Sequence, residues 1–152
     1  MPSSIIADQM RIPLALALGD PAGIGPEVAA KAWELRVERG VTPFFVVGDQ
    51  RSIEAVWDGP VARITDPANA IACFEEALPI IQVEDAGAIV PGTPNGAGAR
   101  CSLDSLELAV GLTRSGAAAA LVTGPVSKAQ LYGIGFTHPG QTEFIAERGR
   151  CA

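Results

Sequence analysis

Residues 12–27 read IPLALALGDPAGIGPE. Ile12–Leu18 is an unbroken apolar run, cut off by the turn signal Gly19-Asp20-Pro21. A short run without polar alternation suits a central parallel strand, which is covered on both faces. Pro26 stands where a helix would begin, with Glu27 in its first turn. Proline costs nothing there because that N–H has no intrahelical partner, and a carboxylate suits the positive helix end. Val28, Ala32 and Leu35 recur at helical spacing up to Gly40, a C-cap glycine.

The same alternation continues along the chain. Phe44–Val47 reads as a strand closed by Gly48-Asp49, Arg51–Trp57 as a short helix, and Val61–Ile64 as a weak strand. Asp66-Pro67 has the form of an N-cap followed by proline, opening a helix through Ala77 that Pro79 stops. Ile80–Val83 is the next strand, and the glycines and prolines of Glu84–Ala99 predict a long loop. Leu103, Leu106 and Val110 predict an amphipathic helix of about 15 residues, ending near Gly116. Ala117–Val122 is read as a strand, with a helix as the alternative that its alanines leave open, Ser127-Lys128 as the start of a helix to Tyr132, and Thr142–Arg148 as a last helix. Strands alternating with helices predict an α/β fold: a parallel or mixed sheet with helices on both faces.

Composition bounds the function. The 152 residues give room for one ordinary domain, and 48% hydrophobic content with a mean hydropathy of +0.27 supports a real core. Eleven basic against seventeen acidic side chains leave a net charge of −6, with only 5% aromatics. Such a chain lacks the charge and stacking platforms for nucleic acid, and the charge for an anionic membrane surface. No apolar stretch approaches the roughly 20 residues that span a bilayer. MPSSIIADQMR has no signal-peptide pattern, so a cytoplasmic protein is expected. Cys73, Cys101 and Cys151 are odd in number and form no CxxC, which predicts reduced thiols. His138 is the single histidine, and nothing is spaced around it for a metal site.

Three segments could carry chemistry. Gly19–Glu27 joins a strand to a helix, where α/β proteins place ligands, but it is neither a GxGxxG fingerprint nor a P-loop. It is either an anion site at a helix start or a tight turn capped by Asp20. Thr123–Lys128 follows a strand and could seat a phosphate or carboxylate through Lys128, or leave that lysine solvated. Thr137–Phe144 offers the Gln141 amide beside the Thr142 hydroxyl at a helix start, to read a substrate's polar groups or merely to cap the helix. His138 precedes Pro139 and therefore sits on extended backbone.

Taken together, LALALGDPAGIGPEVAAKA and LVTGPVSKAQLYGIGFTHPGQTEFIAER, in that order and spacing, resemble the 4-hydroxythreonine-4-phosphate dehydrogenase family of vitamin B6 biosynthesis. The likeness covers Ile12 to Arg148. It implies a three-layer α/β/α fold like that of isocitrate and isopropylmalate dehydrogenases. It also implies oxidation of 4-phosphooxy-L-threonine by NAD or NADP, then loss of carbon dioxide to give 3-amino-2-oxopropyl phosphate. A divalent metal (Zn, Mg or Co) assists, and members are homodimers. The family's PGHTEF block supplies a substrate-contacting His and Thr, which fall here on Gln141 and Thr142. Gln keeps hydrogen-bonding capacity but cannot be protonated.

Family members are about twice this length, and their metal-binding histidines and remaining substrate ligands lie in a C-terminal half absent here. The resemblance thus implies an N-terminal half with no catalytic and no metal-binding residue of its own, and His138 matches none of the ligands. Residues 1–126 would form most of a first α/β domain and 127–152 the start of a second. An isolated chain of this kind is expected to be inactive. A non-catalytic anion-binding module and an inert remnant are the competing readings.

Overall fold

The computed structural model describes residues 11–150; the leader reading of the first ten residues and the thiol reading of Cys151 lie outside the described residues. The elements run β1 (Leu14–Ala17), α1 (Gly25–Glu34), α2 (Arg36–Arg39), β2 (Phe44–Gly48), α3 (Gln50–Glu54) and β3 (Val61–Arg63). A 3-10 turn (Pro67–Asn69) then leads to α4 (Ala70–Phe74), β4 (Leu78–Gln82), α5 (Gly96–Arg114), β5 (Leu121–Thr123), α6 (Lys128–Gly133) and α7 (Gln141–Arg150). The five strands form one sheet in the order β3-β4-β2-β1-β5, and every neighbouring pair is parallel.

Side chains alternate across a strand, so each strand supplies two cores. Ala15, Ala17, Phe45 and Val47 join Leu106 and Ala109 of α5, Leu131 of α6, Phe136, and Phe144 of α7 on one face. Leu18, Phe44, Val46, Leu78 and Ile80 join Ala29 and Trp33 of α1 and Ile53 of α3 on the other. The expected three-layer α/β/α arrangement follows. The α1 face stays partly open, with an apolar groove of about 300 Å³ lined by Leu14, Leu16, Val28, Ala32, Phe44 and Val122.

Several element boundaries differ from the sequence reading. The segment expected as a loop to Ala99 turns helical at Gly96, because Asn95 accepts a hydrogen bond from the Gly98 N–H at 2.8 Å and caps α5. The alanine run gives no strand before Leu121. Pro79 lies inside β4 rather than before it; the ladder with β2 starts at Ile80, so its missing N–H breaks no bond. The helix expected from Pro26 to Gly40 is interrupted at Leu35, and Gly40 ends it in left-handed conformation (φ 58°). The Arg51 helix ends early, at Glu54, and the helix opened by Asp66 stops at Phe74.

A buried polar cluster fixes the carboxyl end of β2. Asp49 is 1% exposed and caps α3. It accepts from the Arg51 N–H (3.1 Å), Arg51 Nη2 (2.7 Å), Gln82 Nε2 (3.2 Å) and the Ala86 N–H (2.9 Å). These bonds tie the end of β2 to the end of β4 and to the loop beyond it. Burial alone would raise the Asp49 pKa, but the Arg51 side chain, the two backbone N–H groups and Gln82 outweigh it and hold the carboxyl at about 2.

Two stability outcomes follow. Phe45 is 0% exposed at the sheet centre, so Phe45→Ala should cost about 3–5 kcal/mol by urea titration. The folded Asp49 pKa is depressed, so its contribution is complete above the ordinary value of 3.8 and is lost as pH falls through about 2. Unfolding free energies measured from pH 7 to pH 2 should show Asp49→Asn less stable by about 2 kcal/mol at pH 7, with a flatter decline below pH 4.

Candidate active site

In open α/β sheets, ligands bind outside the carboxyl ends of adjacent strands whose connections leave on opposite faces. β1 hands over to α1 on one face, and its neighbour β5 hands over to α6 on the other. The GDPAG turn after β1 and the TGPVS turn after β5 meet at this point. The Asp20 N–H donates to the Pro125 carbonyl (2.9 Å) and the Gly124 N–H to the Ala17 carbonyl (2.7 Å). Both contacts require glycine. A Cβ on Gly19, which has φ 81°, would lie 2.2 Å from the Pro125 oxygen, and one on Gly124 would lie 2.3 Å from the Leu18 oxygen. The 91–95 loop joins them, its Gly92 N–H donating to the Ala22 carbonyl at 2.7 Å.

These three loops enclose a cleft of about 230 Å³ lined by Asp20, Ala22, Gly23, Pro94, Pro125 and Val126, among others. Asp20 is 3% exposed. Its Oδ1 accepts from the Ala22 N–H at 2.8 Å, while Oδ2 accepts no hydrogen bond from the described residues. Asp20 therefore closes a local turn and does not cap α1, whose N-cap, Ile24, has no side-chain bond. A buried carboxylate on the wall, Pro26 without an N–H and Glu27 in the first turn make this side of the crevice hostile to anions.

The opposite side of the crevice differs in charge. Ser127 caps α6, accepting from the Gln130 N–H, and Lys128 is exposed with its ammonium beside Gly140. Gln141 opens α7, and its Nε2 donates to the Gly124 carbonyl at 3.2 Å. A Gln side chain has two amide hydrogens and a carbonyl, so this bond uses one of several groups. Thr142 is exposed inside the first turn of α7 rather than at its cap, since the helix begins at Gln141. The structure thus brings Gln141 to the TGPVS turn, a link that sequence spacing did not give.

Other reactive residue types serve packing. His138 pairs through Nε2 with the Glu147 carboxylate, and its ring sits 5.2 Å from Phe136 and 5.3 Å from Phe144. Burial first, and then the nearby Asp49, Asp104 and Asp20 charges, push the Cys101 thiol up to about 12, so it is no nucleophile. Among the described residues, no group of three His, Cys, Asp or Glu side chains is placed to hold a metal ion. The residues present therefore do not fit a metal site. Two participants escaped the sequence reading: Gly92 and Pro94. Their glycine–proline density marked a loop but not its destination.

Residues 40–152 match the sequence model of the family described as "Pyridoxal phosphate biosynthetic protein PdxA". The 4-hydroxythreonine-4-phosphate dehydrogenase of Zymomonas mobilis is 54% identical over 136 residues, covering 90% of this chain and 41% of that protein. The enzyme of the same name from Methylorubrum extorquens is 47% identical, covering 88% of this chain and 40% of its own length. Among solved structures, the Klebsiella pneumoniae 4-hydroxythreonine-4-phosphate dehydrogenase superposes with a TM-score of 0.78 at 25% identity, over 91% of this chain and 44% of that one. The chain thus spans about two-fifths of the length of the relatives it matches. With the family match extending over residues 40–152 and the parallel α/β/α architecture in common, the chain belongs to the PdxA family of pyridoxal phosphate biosynthetic proteins.

Proposed function

We propose that this protein is the N-terminal part of an enzyme that oxidises 4-phosphooxy-L-threonine with NAD or NADP in pyridoxal 5'-phosphate biosynthesis. The β-keto acid so formed loses carbon dioxide to give 3-amino-2-oxopropyl phosphate. The observation that carries this reading is the convergence of GDPAG, TGPVS and the Gln141 side chain at the carboxyl ends of β1 and β5, joined by the 3.2 Å bond from Gln141 to Gly124. These are the segments on which the family resemblance rests. The names of the relatives from Zymomonas and Methylorubrum support the substrate.

In this reading Lys128, Gln141 and Thr142 face the anionic substrate. The Lys128 ammonium offsets the phosphate charge, and Gln141 and Thr142 supply neutral hydrogen bonds. Bound nicotinamide dinucleotide supplies the hydride acceptor. The divalent metal expected for the family (Zn, Mg or Co) takes its ligands from outside this chain, as do the remaining substrate contacts. The division expected after residue 126 is not carried over: Leu131, Phe136 and Phe144 pack into the same core as β1, β2 and α5, so 127–150 are read with the first α/β domain. The working enzyme is a cytoplasmic homodimer. The half-open apolar groove along Leu14, Leu16 and Val122 supports further polypeptide on that face.

Turnover and substrate affinity test this. The purified 152-residue chain should not reduce NAD⁺ with 4-phosphooxythreonine and added Zn²⁺, Mg²⁺ or Co²⁺, whereas the same chain joined to the remaining part of the Zymomonas protein should. Turnover by the chain alone, or none by the joined protein, overturns the proposal. Within the joined protein, Gln141→His should lower KM below pH 6.5 and change it little above. A protonated imidazole makes a charged hydrogen bond of about 1.5–3 kcal/mol, against about 0.5–1.5 for a neutral one. Thr142→Val should raise KM at every pH, because a hydroxyl does not titrate. A KM indifferent to both substitutions from pH 6 to pH 9 removes these two residues from the substrate site.

A further inference from the structure

One histidine remains without a task in the chemistry above. His138 lies in the 134–140 loop that joins α6 to α7, three residues before Gln141. Its ring is wedged between Phe136, with centroids 5.2 Å apart, and Phe144, met edge-on at 5.3 Å, and its side chain is 20% exposed. Nε2 pairs with the Glu147 carboxylate, nine residues ahead on α7. A carboxylate accepts hydrogen bonds, so the ring carries its proton on Nε2, while Nδ1 is buried and has no partner among the described residues. The pair therefore runs from the loop before α7 to a later turn of that helix. The contacts continue from there: Arg148 Nη1 stands 3.9 Å from Glu147, and Arg148 Nη2 donates to Glu107 of α5 at 2.7 Å.

These contacts surround a helix start that its own backbone holds lightly. The bond that opens α7, from the Phe144 N–H to the Gly140 carbonyl, is long at 3.4 Å. Gln141 meets the TGPVS turn through one side-chain bond, 3.2 Å to the Gly124 carbonyl. A rotamer-rich side chain such as glutamine keeps a single bond of this kind only where its backbone is fixed, because freedom in the backbone adds to the entropy the bond must overcome. Two bonds fasten the preceding loop to α6: the Tyr132 hydroxyl donates to the Pro139 carbonyl at 3.1 Å, and the Phe136 N–H to the Leu131 carbonyl at 3.0 Å. The His138 bond fastens the same loop to α7.

Resting on the dehydrogenase reading, we propose that His138 is a positioning residue: paired with Glu147, it fixes the start of α7 so that Gln141 stays at the Gly124 carbonyl and faces the substrate. His138 touches no substrate itself and acts through Gln141. Two measurements test this. In the 152-residue chain carrying nitrogen-15 at its glutamine side chains, the Gln141 amide is identified by its loss in Gln141→Glu. His138→Phe, which keeps a ring but no donor, and Glu147→Ala, which removes the acceptor, should both move that resonance toward the position of a free glutamine side chain. His138→Gln, whose amide can still donate to Glu147, should hold it nearer its original place. In the protein joined to the remaining part of the Zymomonas enzyme, His138→Phe should raise KM for 4-phosphooxythreonine about fivefold, as for one lost neutral hydrogen bond, with kcat changed less than about twofold. In a Gln141→Ala background the same substitution should change KM no further. A role confined to stability would lower the thermal midpoint and leave the resonance and KM where they are. An unmoved Gln141 resonance, an unchanged KM, or the same rise in KM without Gln141 overturns the His138 assignment and leaves the dehydrogenase reading standing. No turnover by the unsubstituted joined protein overturns the dehydrogenase reading, and the substrate role of His138 with it.

Discussion

The carboxyl end of the sheet depends on a backbone-to-backbone contact. Gly19 and Gly124 let the turns after β1 and β5 approach until a single added carbon would collide with a carbonyl at 2.2 or 2.3 Å. Two short hydrogen bonds, Asp20 to Pro125 and Gly124 to Ala17, close the gap. Because both partners are main chain, the geometry does not depend on rotamers, and the side chains nearby inherit a rigid base. Asp20, Ser127 and the Gln141 contact are all positioned from it.

Charge is divided across the crevice that results. One wall holds a buried carboxylate among prolines, glycines and an alanine, and the other holds Lys128 and the start of α7. The Asp49 cluster serves a different purpose. Its five hydrogen bonds, three of them from Arg51, tie the ends of β2 and β4 and the loop beyond them together at this end of the sheet. The difference between the two aspartates lies in their surroundings, not in the Gly-Asp dipeptide that carries each.

Much of the architecture was legible in the residues. The apolar runs at Leu14–Ala17 and Phe44–Gly48 had no polar alternation, and both lie inside a parallel sheet covered on two faces. Gly40 and Ser127 ended or began helices where their chemistry required. The misreadings share a cause. Gly96 and Gly98 are poor helix formers, and only the Asn95 cap and the packing of α5 on the sheet make them helical. The alanines before Leu121 carry no preference strong enough to make a strand, and the ladder to β1 sets its start at the register of Ala15 with Leu121.

By itself the sequence determined the α/β class, the order of strands and helices, and the family, because apolar runs, turn residues and local motifs are properties of neighbouring positions. The tertiary structure alone decided which strand ends are adjacent. Only through the β1–β5 pairing does Asp20 come to line a cleft with Pro125 and Val126, more than 100 residues away. The same holds for the Gln141 bond to Gly124 and for the unmatched Oδ2 of Asp20. Whether a buried polar atom is satisfied depends on all the chain that surrounds it, and no local pattern encodes that sum.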